Sequence, residues 1–142
     1  MTNRNPLQTY KETQIKTATQ GKLILMLYDG AIRNLNNALE NMRQEHRAYD
    51  VTNNYLIKTQ DIITELMVSL DFEKGGEIAK NLFNLYVFMN RQLLEGNIGK
   101  KEQPLLEVRQ LLTELRSVWA EVVTKKGVAN STGEAGGIDF TG

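Results

Sequence analysis

Residues 23–42 read LILMLYDGAIRNLNNALENM, and the fold turns on how this stretch is taken. LILMLY followed by Asp29-Gly30 resembles a strand entering a two-residue hairpin turn. A hairpin needs a return strand that alternates apolar and polar residues, and AIRNLNNALENM does not alternate. Instead Ile24, Leu27, Tyr28, Ala31, Leu35, Ala38 and Met42 recur at three- and four-residue steps, the period of one helix face. The stretch is therefore read as a helix from about Thr19 to Gln44. Gly30 lies inside it, at a cost of about 1 kcal/mol relative to alanine. A glycine there suits either close approach by another backbone or simple tolerance.

The same period continues along the chain. A second helix runs from about Asp50, read as an N-cap, to Leu70, with Tyr55, Ile62, Ile63, Leu66 and Leu70 recurring. A third follows Gly75-Gly76 through Ile78, Leu82, Leu85, Tyr86, Met89 and Leu93, with Gly96 as its expected stop. A fourth spans about Lys101 to Lys126, carrying Val108, Leu111, Leu112, Leu115, Val118, Trp119 and Val122. Its Lys125-Lys126-Gly127 ending places cations at the negative dipole end and glycine after it. Pro104 sits near that helix start, where proline is tolerated, and Pro6 lies in the leading segment. Four helices of about 30–40 Å joined by short connections predict an all-α, antiparallel four-helix bundle. The organisation expected is a leading cap or strap over 1–18, the bundle over 19–126 and a disordered, glycine-rich tail over 127–142.

Composition narrows the chemistry. Of 142 residues, 17 are Lys or Arg and 17 are Asp or Glu, a balance unsuited to general nucleic-acid binding. With no Cys there is no disulfide, thiolate metal site or thiol nucleophile. His46 is the one histidine and follows Glu45 directly, so the paired Glu-x-x-His motif of di-metal bundles is absent. It falls in the polar connection NMRQEHRAYD and is read as solvated. Asp61 and Glu65, at i,i+4, read as a solvated stripe rather than an acid/base pair. Gly75-Gly76 lacks the strand, lysine and Ser/Thr of a phosphate loop. No apolar run approaches the roughly 18 residues of a membrane span, and the N-terminus lacks a secretory signal's apolar stretch. The expectation is a soluble cytoplasmic protein with no catalytic residue, cofactor, metal, nucleic acid or membrane insertion.

Two of the helices are more apolar than a bundle requires. At about 100° per residue, the third helix's core set from Leu85 through Ile78 to Tyr86 fills roughly 100°. Phe83, Leu94 and Val87 extend that arc to about 180°, with Phe88 on the opposite flank. In the first helix the apolar arc is about 200°, wider than a bundle stripe needs. Core or dimer packing is one covering for the surplus. An amphipathic partner segment laid into apolar grooves is another. Leu7, Tyr10 and Ile15 of the leading segment supply a third, internal strap. That segment (1–22) is net +3 and residues 49–72 are net −3, which reads either as ordinary surface variation or as a charge latch between them.

At these residues the chain resembles a known family. Thr17-Ala18-Thr19 with Leu23 to Ile32 resembles the opening helix signature of the flagellar secretion chaperone FliS family. Ile62-Ile63-Thr64-Glu65-Leu66, Ser69-Leu70-Asp71, Gly75-Gly76-Glu77-Ile78-Ala79, Asn81-Leu82, Leu85-Tyr86 and Met89 are similar to its central signature. Leu111-Leu112, Leu115-Arg116 and Trp119 fit the last helix, so the resemblance runs in order over about residues 7–120. Thr19-Gln20-Gly21 departs from the family's Ser-Pro-Glu-like helix start.

The resemblance implies a cytoplasmic export chaperone with a movable N-terminal cap. Its client would be the C-terminal segment of flagellin, held back from premature polymerisation and delivered to a component of the flagellar type III export gate. A monomer or weak homodimer is expected, and the alternative is a helical adaptor or homodimer using the same grooves for another partner. Leu7 and Tyr10 occupy the cap positions. Tyr28 and Asp29 belong to the first-helix signature. Ile62, Leu66, Leu82, Tyr86 and Met89 match signature positions that make either groove floor or core. From the helix faces, Phe83, Val87 and Leu94 are the groove candidates outside the core arc. Asn81 and Asn90 are read either as donors to a bound backbone or as solvated helix surface.

Overall fold

The computed structural model describes residues 19–45 and 48–131. Within them lie four α-helices: α1 Gln20–Met42, α2 Tyr49–Val68, α3 Phe72–Gly99 and α4 Glu102–Ser131. Leu7, Tyr10, Ile15 and His46, the cap, and the tail beyond Ser131 fall outside the described residues. LILMLYDG is helical throughout, as its period requires.

Local chemistry sets the helix ends. Thr19 caps α1, its side-chain oxygen accepting from Lys22 N–H at 3.2 Å. The N-cap of α2 is Ala48, not Asp50, which instead stands in the first turn where a carboxylate favours the positive helix end. Ala48 offers no capping oxygen, and Asn41 of α1 secures the junction by donating to Ala48 O at 2.8 Å and to Thr52 Oγ1. The third helix starts before the glycine pair rather than after it. Asp71 caps it by accepting from Glu73 and Lys74 N–H, both at 3.0 Å, and Gly76 kinks it at φ 52°, ψ −124°. Gly96 is an interior residue of α3, and the stop is Lys100 in the left-handed region at φ 51°, ψ 47°. Pro104 sits in the first turn of α4, where a missing N–H breaks no helical bond. The fourth helix continues through Gly127 to Ser131, because glycine only weakens a helix and no proline follows to end it.

Each helix packs on the next, and α4 closes back onto α1. Three cross-links fix α4 against α1: Asp29–Arg116 (2.7 Å), Asn36–Arg109 (3.1 Å) and Arg43–Glu102 (3.0 Å). Their spacing is seven residues on both helices, ascending on one and descending on the other. That is an antiparallel seam with a two-turn repeat. Asn53–Asn97 (2.6 Å) and Gln60–Asn90 (3.3 Å) join α2 to α3 in the antiparallel sense, and Gln92–Glu107 (2.8 Å) joins α3 to α4. Exposed pairs of this kind contribute little stability each; regular spacing makes them markers of register.

Stability comes from the centre. Ile24, Tyr28, Ala31, Leu35 and Leu39 of α1 meet Leu56, Ile63 and Leu66 of α2, Tyr86, Met89 and Leu93 of α3, and Leu105, Val108 and Leu112 of α4. Each large apolar side chain taken fully from water contributes roughly 1.5–3 kcal/mol. The buried Thr59 hydroxyl donates to Tyr55 O at 2.8 Å, so this polar group is satisfied. Ile78, expected in the core arc, is instead 66% exposed. It lies two residues after the Gly76 kink, towards the margin of the arc, whereas Ala79 beside it is fully buried.

Candidate functional site

The signature residues divide into two layers. Tyr28, Leu66, Tyr86 and Met89 are buried core, and Ile62 and Leu82 are half-buried against it. The Tyr28 and Tyr86 hydroxyls hydrogen-bond at 2.6 Å across the bundle. Burial raises both phenol pKa values above the ordinary 10, and for Tyr28 the neighbouring Tyr86 adds to the rise while a hydrogen bond with Trp119 opposes it. Both phenols are therefore neutral near pH 7 and serve as a polar tie inside an apolar core. Asp29 is half-exposed and paired with Arg116 of α4, on the α1–α4 seam.

A second layer faces outward along α3. Phe83, Val87, Asn90, Leu94 and Asn97 fall within about 80° of one another on the helical wheel. Asn97 meets Asn53, while Asn90 meets Thr64 and Gln60, which identifies this edge of α3 as the one facing α2. Phe83 and Leu94 remain 38% and 50% exposed there. The structure thus gathers Phe83, Val87, Asn90 and Leu94 on one flank, separate from the buried signature residues.

Sequence reasoning missed neighbours of that flank. Phe72, in the first turn of α3, packs edge-on to Phe83 with ring centroids 5.9 Å apart. Across the seam, Ile57 of α2 is exposed within about 60° of Gln60 and Thr64 on its own wheel. A wheel drawn for α2 carries the Ile57 signal. Phe72 was hidden by starting α3 after Gly76. On the opposite edge of α3, Phe88 lines a cleft of about 450 Å³ with Gln103, Leu106, Glu107, Gln110 and Leu111 of α4.

Among the described residues no group of three or more His, Asp or Glu side chains converges to hold a metal ion. No helix among them is long and apolar enough to cross a membrane. What the surface offers is aliphatic and aromatic anchors beside carboxamides, in long seams between helices, which suits an elongated polypeptide.

The chain is similar over most of its length to known proteins. The family described as "Flagellar protein FliS" matches residues 3–126. Flagellar secretion chaperone FliS of Bacillus subtilis is 32% identical over 126 residues, covering 87% of this chain and 90% of the relative. The protein of that name from Vibrio cholerae is 36% identical, covering 84% and 89% respectively. That of Salmonella typhimurium is 37% identical over 127 residues, covering 87% and 91%. With a family match over nearly the whole length and relatives of this similarity, the chain belongs to the FliS family of flagellar secretion chaperones.

Proposed function

We propose that this chain is a cytoplasmic export chaperone for flagellin. It binds the disordered C-terminal segment of flagellin, keeps it from polymerising prematurely and presents it to a component of the flagellar type III export gate. The observation that carries the reading is the outward flank of α3, where Phe83 and Leu94 stay exposed along the α2 seam of a flagellar secretion chaperone. Apolar anchors at helical spacing are what an amphipathic client segment needs. A client that orders only on binding offsets part of the contact free energy with lost entropy, so a long interface remains releasable.

Within this reading Phe83, Val87, Asn90 and Leu94 contact the client. Leu66, Leu82, Tyr86 and Met89 support the flank from beneath, with Ile62 on the α1 side. Tyr28 and Asp29 hold α1 against α3 and α4. Leu7 and Tyr10 form a cap that competes with the client for the apolar surface.

The test is titration of a synthetic peptide covering the flagellin C-terminal segment, followed by circular dichroism of the mixture. Binding with helix content above the sum of the parts supports the chaperone. Absence of binding at tens of micromolar would falsify it. A stable dimer in sedimentation, with the flank covered, favours the adaptor or homodimer instead.

A further inference from the structure

Asn90 stands in the middle of the α2–α3 seam with its hydrogen bonding incomplete. Its Nδ2 reaches Thr64 Oγ1 at 3.4 Å, the outer limit of a hydrogen bond. Gln60 Nε2 donates to the Asn90 main-chain oxygen, not to its side chain, at 3.3 Å. The side-chain Oδ1 is buried and has no partner at all, the single side-chain atom in that condition among the described residues. Buried acceptors left unpaired are uncommon because they have given up water without a replacement. Here the deficit lies between Phe83 and Leu94, both partly exposed, on the flank proposed above as the contact surface.

We infer that Asn90 is the polar anchor of that flank: when the client docks, Asn90 Oδ1 accepts a main-chain N–H from it. The inference rests on the client-binding reading above and adds to it a residue that sets register and specificity. Oδ1 is closed to solvent in the free protein, so the Asn90–Thr64 contact must yield first. At 3.4 Å it is the weakest of the seam's hydrogen bonds, while Asn53–Asn97 at 2.6 Å holds the far end. The opening is therefore local to Asn90. An apolar anchor on each side of one acceptor selects a segment whose residue at that point carries an N–H. Proline at the matching position is rejected, since it has none to donate. Apolar surface alone does not fix the register of a docked helix or strand; one buried polar contact does.

The test crosses a protein variant with a modified peptide. The probe is the synthetic flagellin C-terminal peptide, scanned with single backbone N-methyl groups, and affinity is read by calorimetry. With the natural chain, one N-methyl position is expected to lose about tenfold, or about 1.4 kcal/mol. With Asn90→Leu, which removes the unpaired acceptor, the unmodified peptide is expected to bind about tenfold more weakly. The N-methyl penalty at that position is then expected to shrink below about twofold. Free Asn90→Leu is also expected to melt higher than the natural chain, because an unsatisfied group has been replaced by an apolar one. Asn90→Ala serves where the larger side chain disturbs packing, with the same loss of coupling expected. An equal N-methyl penalty in both proteins, or unchanged affinity of Asn90→Leu, overturns the role of Asn90 and leaves the chaperone reading intact. Failure of the natural chain to bind any form of the peptide overturns the chaperone reading, and this anchor with it.

Discussion

The hydroxyls of Tyr28 and Tyr86 meet at 2.6 Å although 58 residues separate them, and both residues are buried. One hydrogen bond ties α1 to α3 across the diagonal of the bundle. Tyr86→Phe removes one partner, and the expected loss is about 1 kcal/mol, the net worth of a satisfied bond plus part of a desolvation penalty. Tyr28→Phe is expected to cost more, about 1–3 kcal/mol, because the Tyr86 hydroxyl and the Trp119 indole both lose a partner. Urea unfolding of both single variants and the double variant measures this. Coupling requires that the double variant lose less than the sum.

The same pair sets an alkaline limit on stability. Both phenols have folded pKa values raised above 10 by burial, while the unfolded chain titrates near 10. Below pH 10 the tyrosines are protonated in both states and their contribution is flat. Above it the unfolded chain gives up protons that the folded chain keeps, so stability falls as pH rises. The slope attributable to Tyr28 approaches about 1.4 kcal/mol per pH unit, and Tyr86 adds to it in the same direction. Subtracting the unfolding curve of the Tyr28→Phe/Tyr86→Phe protein between pH 8 and 11 isolates it. A difference that does not grow above pH 10 contradicts the shift.

Two interior glycines separate propensity from packing. Helix propensity alone gives about 1 kcal/mol of stabilisation for Gly→Ala at either Gly30 or Gly96. At Gly30 an added Cβ meets the Ile62 Cδ1 methyl at 3.3 Å, the far end of a half-buried side chain that can turn aside, and Arg33 Nη2 at an ordinary 3.8 Å. At Gly96 it overlaps the fully buried Leu105 side chain and lies 3.1 Å from the Lys101 carbonyl oxygen. Gly30→Ala is expected to be neutral to stabilising, and Gly96→Ala destabilising by about 1–3 kcal/mol. Thermal melts of the pair decide this, and equal shifts of one sign would show that packing does not control either site.

These residues also show what the sequence makes legible. The three-and-four spacing from Ile24 to Met42 could be satisfied only by a helix, and the stretch is one. The surplus arc of Phe83, Val87 and Leu94 was visible on the same wheel, because exposure follows from angle once the core side is known. Helix ends were less legible. Gly75-Gly76 read as a break before α3, whereas Asp71 caps an earlier turn and Gly76 supplies a kink. Gly96 read as a stop, yet its missing side chain serves Leu105 of another helix. A glycine in sequence announces a special position without saying whether backbone or neighbour demands it. Pair contacts such as Tyr28–Tyr86 and Asn90–Thr64 depend on the register between helices, which no single helix's period contains.

Gly76 tests the backbone case. Its φ of 52° with ψ of −124° is a conformation that side-chain-bearing residues rarely adopt, and nothing lies within 4 Å of where a Cβ would be. Any cost of Gly76→Ala is thus conformational, not steric crowding by neighbours. A loss of about 1–3 kcal/mol is expected, or a shift of the first turn that separates Phe72 from Phe83. Chemical denaturation reports the first outcome, and the phenylalanine ring contact in NMR spectra reports the second. Unchanged values in both would mean that the kink is not required.

The flank itself is tested by truncation at positions whose loss the core does not feel. Leu94 is half exposed, so docking removes only about half of its side chain from water, worth roughly 1 kcal/mol, or about five- to tenfold in affinity. Phe83 presents a larger surface, but part of it already rests on Phe72, so Phe83→Ala is expected to lose about tenfold. Both variants are expected to keep unfolding free energies within about 1 kcal/mol of the natural chain, because neither residue is fully buried. Val118 of α4 is exposed to a similar degree, at 59%, and lies away from the α2–α3 seam. Its alanine variant is the control, expected to change flagellin-peptide affinity by less than about twofold. Hydrophobicity alone predicts equal losses for Leu94→Ala and Val118→Ala. A site on the α2–α3 flank requires them to differ, and peptide titration of the three variants distinguishes the two.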